Sequence, residues 1–190
     1  MTAHQRRRSL VVSLVGLAIL ALTAGVAAAS GASHASARIV AVDPGDATKL
    51  VTIGWAKFTE DATGLLHVNV KVSGLTPGLH GIHIHAAGVC DGPAFTSALT
   101  HHNPGSALHG LNPDQPGAHA GDLPNLIVNV AGQGHLNVKT DRARLSIGLL
   151  AVLDGNGSAI IIHRDLDDQN ATSTTGNSGP RVACGVIVAD

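Results

Sequence analysis

The sequence predicts an all-β domain: about eight short antiparallel strands closed into a sandwich or barrel and interrupted by long loops. Two observations carry this. From Arg38 onward apolar residues recur at every second position, the period of a strand with one buried face. The 23 Gly and 8 Pro cluster between those runs, which suits many turns and few long helices.

In chain order the expected strands span 38–42, 50–58, 66–72, 79–86, 126–130, 135–139, 159–163 and 182–188. Leu66, Val68, Val70 and Val72 alternate with His67, Asn69 and Lys71, and Leu136 and Val138 with His135, Asn137 and Lys139. Asp43-Pro44-Gly45, Thr76-Pro77-Gly78, Gly132 to Gly134 and Asp154-Gly155-Asn156-Gly157 mark turns. In the fourth strand His83 and His85 stand two apart and share one face, with Ile82 and Ile84 on the other. The apolar run Ala159 to Ile162 ends on His163, a place that suits a core histidine as well as a ligand. Residues 87–124 and 164–181 lack alternation. A loop as long as the first needs a function or a pin. It holds His101, His102, His109, His119 and Asp122, so metal and a disulfide are the expected pins.

The first 37 residues read differently from the rest. Arg6, Arg7 and Arg8 precede an uncharged apolar stretch over 10–29, followed by Ala27-Ala28-Ala29 and Ala35-Ser36-Ala37. That is the order of an export signal, with cleavage after Ala29 or Ala37. The alternative is a retained membrane anchor, because about 20 apolar residues can span a bilayer. The expected organisation is a signal and short linker over 1–37 and one β domain over 38–190. The protein is expected in the periplasm, the cell envelope or the medium, without stable membrane insertion after cleavage. Removing the leader removes three Arg and no acid, leaving nine Lys and Arg against 13 Asp and Glu, a net charge of −4. With no basic cluster in that remainder and few aromatic residues, nucleic acid is not an expected partner.

Two cysteines, Cys90 and Cys184, in an exported chain read as a disulfide, the alternative being two buried thiols. Of the 12 His, His4, His34, His67 and His135 stand at polar positions and are expected to face solvent. His83 and His85 offer a paired imidazole donor set suited to copper or zinc. His109, His119 and Asp122 add two imidazoles and a carboxylate, a set suited to tetrahedral zinc.

The order HGIHIH, HHNP, His109, HAGD, IIIH and GNSGPRVACGVI resembles the copper–zinc superoxide dismutase family, across essentially all of 38–190. The resemblance implies an eight-stranded Greek-key barrel or sandwich with long metal-binding and active-site loops. It implies copper, cycling between Cu(II) and Cu(I), on His83, His85, His101 and His163, and zinc on His101, His109, His119 and Asp122. The family pattern His-x-Asn-Pro selects His101 over His102 as the shared ligand, His101 also carrying a proton in catalysis. Asp167 matches the carboxylate that joins a copper ligand to a zinc ligand, and His80 a framework residue. Cys90 and Cys184 match the family disulfide, and Arg181 the active-site cation, although from its place alone it could be an exposed charge ahead of a strand. The implied substrate is superoxide, disproportionated to O2 and hydrogen peroxide, by a monomer or homodimer.

The chain departs from the family in places. Its 165–180 segment is short and lacks the Glu/Lys cluster used for steering, leaving Arg164, Arg181 and the metals as local positive charge. Two other readings compete. A copper-binding relative without turnover is disfavoured by the presence of all four copper positions and Arg181. A copper-only dismutase is disfavoured by His109, His119 and Asp122.

Overall fold

The computed structural model describes residues 31–114, 117–171 and 173–190. Of the expected leader and linker over 1–37, residues 1–30, with the cleavage candidate at Ala29, lie outside the described residues. Nine strands form one antiparallel sheet: β1 His34–Asp43, β2 Asp46–Glu60, β3 Leu66–Val72, β4 Gly78–His80, β5 Ile82–His85, β6 Leu126–Val128, β7 Gly134–Thr140, β8 Ser158–His163 and β9 Arg181–Ala189. Their order is β4-β6-β7-β3-β2-β1-β9-β8-β5. The two ends of that order, β4 and β5, are consecutive in the chain, so the sheet curls into a nearly closed Greek-key barrel.

The single strand expected over 79–86 is therefore two. β4 pairs with β6 and β5 with β8. At Gly81 between them the ladder changes partner: its N–H donates to the Asp165 carbonyl at 2.8 Å, and its carbonyl accepts from the His163 N–H at 2.8 Å. A Cβ there would stand 2.5 Å from Ser178 Oγ, so only glycine fits without displacing that hydroxyl. β1 also begins at His34, four residues earlier than expected and inside the stretch read as leader and linker. Ala35 and Ala37 are buried opposite Phe58 and Ala56. Small apolar residues two apart fit a strand's inward positions as well as they fit a peptidase.

The alternation fills the barrel. Ala35, Ala37, Ile39, Ala56, Phe58, Leu66, Val68, Val70, Ile82, Ile84, Ile160 and Ile162 belong to one buried cluster. A second, outside the barrel wall, packs Phe95, Ala98, Ala159, Ile161 and Cys184. The long loop 87–124 is pinned in both expected and unexpected ways. Cys90 and Cys184 form a disulfide with Cα atoms 5.7 Å apart. Backbone bonds then seat the loop against β5, from Ile84 N–H to the Gly121 carbonyl and from His102 N–H to the Ile84 carbonyl, both 2.8 Å. This covers the edge strand that would otherwise be left open.

The bridge closes a span of 94 positions. Its loss through Cys184→Ser is expected to cost about 4–5 kcal/mol in the chain-entropy model, read as a lower denaturation midpoint. An unchanged midpoint would show that backbone pinning alone holds the loop.

Candidate metal centre

Strand period and barrel closure together gather the histidines. Ile82 and Ile84 point into the core, so His83 and His85 face the opposite side, where His163 arrives from β8 and His101 from the loop. An isolated bridge between His85 and His101 brings the loop alongside, and another between His83 and Asp122 brings its far end. One donor atom from each of His83, His85, His101 and His163 lies within 4.8 Å of the others, and the same holds for His101, His109, His119 and Asp122. His101 belongs to both groups, and His102, though buried, to neither.

In the first group each of His83, His85 and His163 gives one ring nitrogen to structure and leaves the other open. His83 Nε2–H donates to Asp167 at 2.5 Å, His85 Nδ1–H to the Leu99 carbonyl at 2.8 Å, and His163 Nδ1–H to the Gly179 carbonyl at 3.0 Å. The remaining nitrogens, His83 Nδ1, His85 Nε2 and His163 Nε2, are buried without a partner, as is His101 Nε2. Native proteins rarely leave such groups unpaired. Four unpaired imidazole nitrogens within a few ångströms fit a copper ion, for which donors on opposite sides stand about 4 Å apart.

The second group meets a different test. Asp122 Oδ1 lies 2.9, 3.2 and 3.3 Å from Nδ1 of His101, His109 and His119, and the Nδ1 atoms of His101 and His119 are 3.2 Å apart. A tetrahedral ion with bonds of about 2.0–2.1 Å sets its donors about 3.3 Å apart, so zinc fits.

Asp167 ties the groups together. Its Oδ2 accepts from His83 and its Oδ1 from His109 Nε2–H at 3.0 Å. The Gln169 N–H, at 2.6 Å, and Asn125 hold it in turn. Gly176, at φ 60°, passes so close that a Cβ would collide with this carboxylate. His80 spans from the His163 carbonyl, 2.7 Å from Nδ1, to the Thr76 carbonyl, 2.9 Å from Nε2.

Burial sets the protonation of the rings. It pulls His83, His85 and His163 down to about 3, 2 and 4, so these three stand neutral and ready to ligate at physiological pH. Burial works against protonation of His109 too, but the Asp122 and Asp167 carboxylates outweigh it and raise that ring to about 9. Burial opposes ionisation of Asp122 and Asp167, yet their histidine partners hold both carboxyls well below the usual range.

A cavity of about 520 Å³ opens beside the centre, lined by His85, His101, His163, Thr175 and Arg181 among others. Arg181 donates to the Phe95 carbonyl at 2.6 Å and the Leu99 carbonyl at 2.5 Å. Both acceptor residues have positive φ, 53° and 63°, a sparsely populated backbone for non-glycine residues, and the Phe95 side chain is fully buried. Arg164, the other expected local cation, is instead paired with Asp165, at 2.9 Å for both Nε and Nη2. His34 and His135 are exposed and His67 is half-buried against Asp61, while His4 lies outside the described residues. Sequence reasoning missed the carbonyls of Phe95, Leu99 and Gly179, because a backbone acceptor carries no residue-type signal.

A Greek-key barrel whose edge strand and loops build two histidine-rich donor groups around one common imidazole defines the class: an all-β protein with a paired candidate metal centre. The copper/zinc superoxide dismutase (SODC) family model matches residues 52–187, and the chain belongs to that family. It is 40% identical over 139 residues to superoxide dismutase [Cu-Zn] 2 of Mesembryanthemum crystallinum, covering 70% of this chain and 85% of that protein. Identity to superoxide dismutase [Cu-Zn] of Caulobacter vibrioides is 39% over 138 residues, covering 70% and 77%. The crystal structure of a SOD-like protein from Bacillus subtilis aligns with a TM-score of 0.72 at 33% identity, covering 84% of this chain and all of that one.

Proposed function

We propose that this chain is an exported bacterial superoxide dismutase. Copper is held by His83, His85, His101 and His163, and zinc by His101, His109, His119 and Asp122. The observation that carries the reading is the set of four unpaired buried nitrogens meeting a tetrahedral donor set at one shared ring. Bound copper would supply one-electron redox chemistry between Cu(II) and Cu(I), and zinc, which has no redox chemistry, would serve structure.

The chain's own residues supply position and protons. Two superoxide anions and two protons give one O2 and one hydrogen peroxide. Arg181 presents a fixed guanidinium in the cavity, which attracts a small anion and orients it. His101 lines the same cavity, and its Nδ1 is turned to Asp122, so Nε2 is the atom that would carry a proton for the peroxide when it does not ligate copper. Asp167 and His80 are positioning residues: one fixes two ring orientations, the other holds the His163 backbone.

Cleavage after Ala29 is the better of the two leader sites, because cleavage after Ala37 would cut away the first residues of β1. Superoxide is the substrate, nucleic acid is not a partner, and the working form is a monomer or homodimer in the envelope or medium.

Metal analysis with a superoxide-decay assay tests the reading. One copper and one zinc per chain with rapid decay is expected, whereas copper uptake without decay would reduce the chain to a binding protein. Arg181→Ala is expected to lower the rate without lowering copper content. Loss of copper instead would make Arg181 a structural residue.

A further inference from the structure

We propose that the outer face of β1, β2, β3 and β7 is a docking surface for an anionic phospholipid bilayer. The outward residues of these strands fall into register. Arg38 pairs across with Trp55, Trp55 with Lys71, and Lys71 with His135. The next row runs Ser36, Lys57, Asn69 and Asn137, and the third His34, Thr59, His67 and Lys139. Four of these positions are Lys or Arg and none is acidic. The mature chain carries nine Lys and Arg against 13 Asp and Glu, so this face opposes the net charge of the molecule.

Among the described residues these cations, Arg38, Lys57, Lys71 and Lys139, also stand outside any ion pair; the paired Lys and Arg are Lys49, Arg144 and Arg164. Two acids reach the margins and are engaged there, Asp61 with His67 at 2.8 Å and Asp190 with Ser36 at 2.6 Å.

Shape and chemistry select the partner. Strands about 4.8 Å apart, with same-face residues about 6.8 Å apart along each, spread the four cations over a patch roughly 15 Å on a side. That is an area, which matches a headgroup surface; a linear polyanion is matched by a stripe. Trp55 stands between Arg38 and Lys71, 55% exposed, and Ile127, 66% exposed, extends the same row beyond His135. An exposed indole among cations is suited to the headgroup level of a membrane. At the end of the row Lys71, Ser73, Gln133 and His135 line a shallow groove, where their side chains can donate to a phosphate oxygen. β2 and β3 sit mid-order in the sheet and β5 and β8 at its end, and no residue of the face lines the metal cavity. Docking therefore leaves that cavity open.

The chain has one Trp and no Tyr, so its intrinsic emission reports on this face alone. The test mixes metal-loaded protein, purified from the soluble exported fraction, with vesicles of phosphatidylcholine alone or with phosphatidylglycerol added. Expected are sedimentation with the anionic vesicles and a blue shift of Trp55 emission, both lost at about 0.5 M salt and both missing with neutral vesicles. Each Lys near an anionic surface multiplies the partition constant roughly fivefold. Lys57→Gln/Lys71→Gln/Lys139→Gln is thus expected to weaken binding roughly a hundredfold with native circular dichroism. Should that variant misfold, Lys57→Gln/Lys139→Gln gives the same reading at roughly 25-fold. Equal binding to both vesicle types, an unshifted emission, or unchanged partitioning of the folded variants would overturn the proposal. So would retention on immobilised heparin without vesicle binding, which would assign the face to a linear polyanion. None of these readouts depends on superoxide turnover.

Discussion

His163→Ala will abolish superoxide decay and leave zinc bound. The His163 ring contributes one of the four unpaired nitrogens and none of the donors around Asp122. Its removal leaves three of the four nitrogens, and copper affinity is expected to fall at least about a hundredfold, more than the loss of a mere supporting group. The variant should fold. What His80 holds at this position is the backbone carbonyl, and what pairs with Gly81 is the backbone N–H, both of which alanine keeps. Metal analysis after dialysis against a chelator, beside the decay assay, checks it. Normal decay by the variant would remove His163 from the copper set, and simultaneous loss of zinc would show that the two sites do not separate there.

Asp167→Ala is expected to weaken both metals at once. The carboxylate accepts from His83 on the proposed copper side and from His109 on the proposed zinc side, and it is itself buried. Without it both rings keep their ligating nitrogens but lose the bond that sets tautomer and angle, which typically costs 10–100-fold in affinity. Two N–H groups are also left buried without an acceptor, at about 1–3 kcal/mol each. Asp167→Asn should fall between, because one amide oxygen can serve only one of the rings well. Chelator competition for each metal in turn measures the effect. Native affinity for both metals in Asp167→Ala would show that His83 and His109 are oriented by packing alone.

The two variants divide the centre along lines that were partly visible before folding. The strands were legible from alternation, and so was the shared face of His83 and His85, because a strand's period is local. His163 was ambiguous by itself, since an apolar run ending in histidine suits a core as well as a ligand; only β5–β8 pairing brings it to the centre. The break at Gly81 was not legible. Residues 79–86 read as continuous strand, and the change of partner depends on Asp165, His163 and Ser178, which lie more than 80 positions away. Arg164 looked free in the sequence because its pairing with the adjacent Asp165 is a matter of side-chain conformation.

The same division explains the two surfaces of the molecule. Residue type and order were enough to announce an all-β domain, a histidine-rich loop and a pair of cysteines, because periodicity and side-chain chemistry are written along the chain. Folding alone settled which nitrogen of each ring is left open and which carbonyls take the other. It also made a basic face out of Arg38, Lys57, Lys71 and Lys139, no two of which are near neighbours in the chain. Those properties belong to distances across the sheet, and antiparallel pairing sets such distances between residues that the linear order keeps far apart.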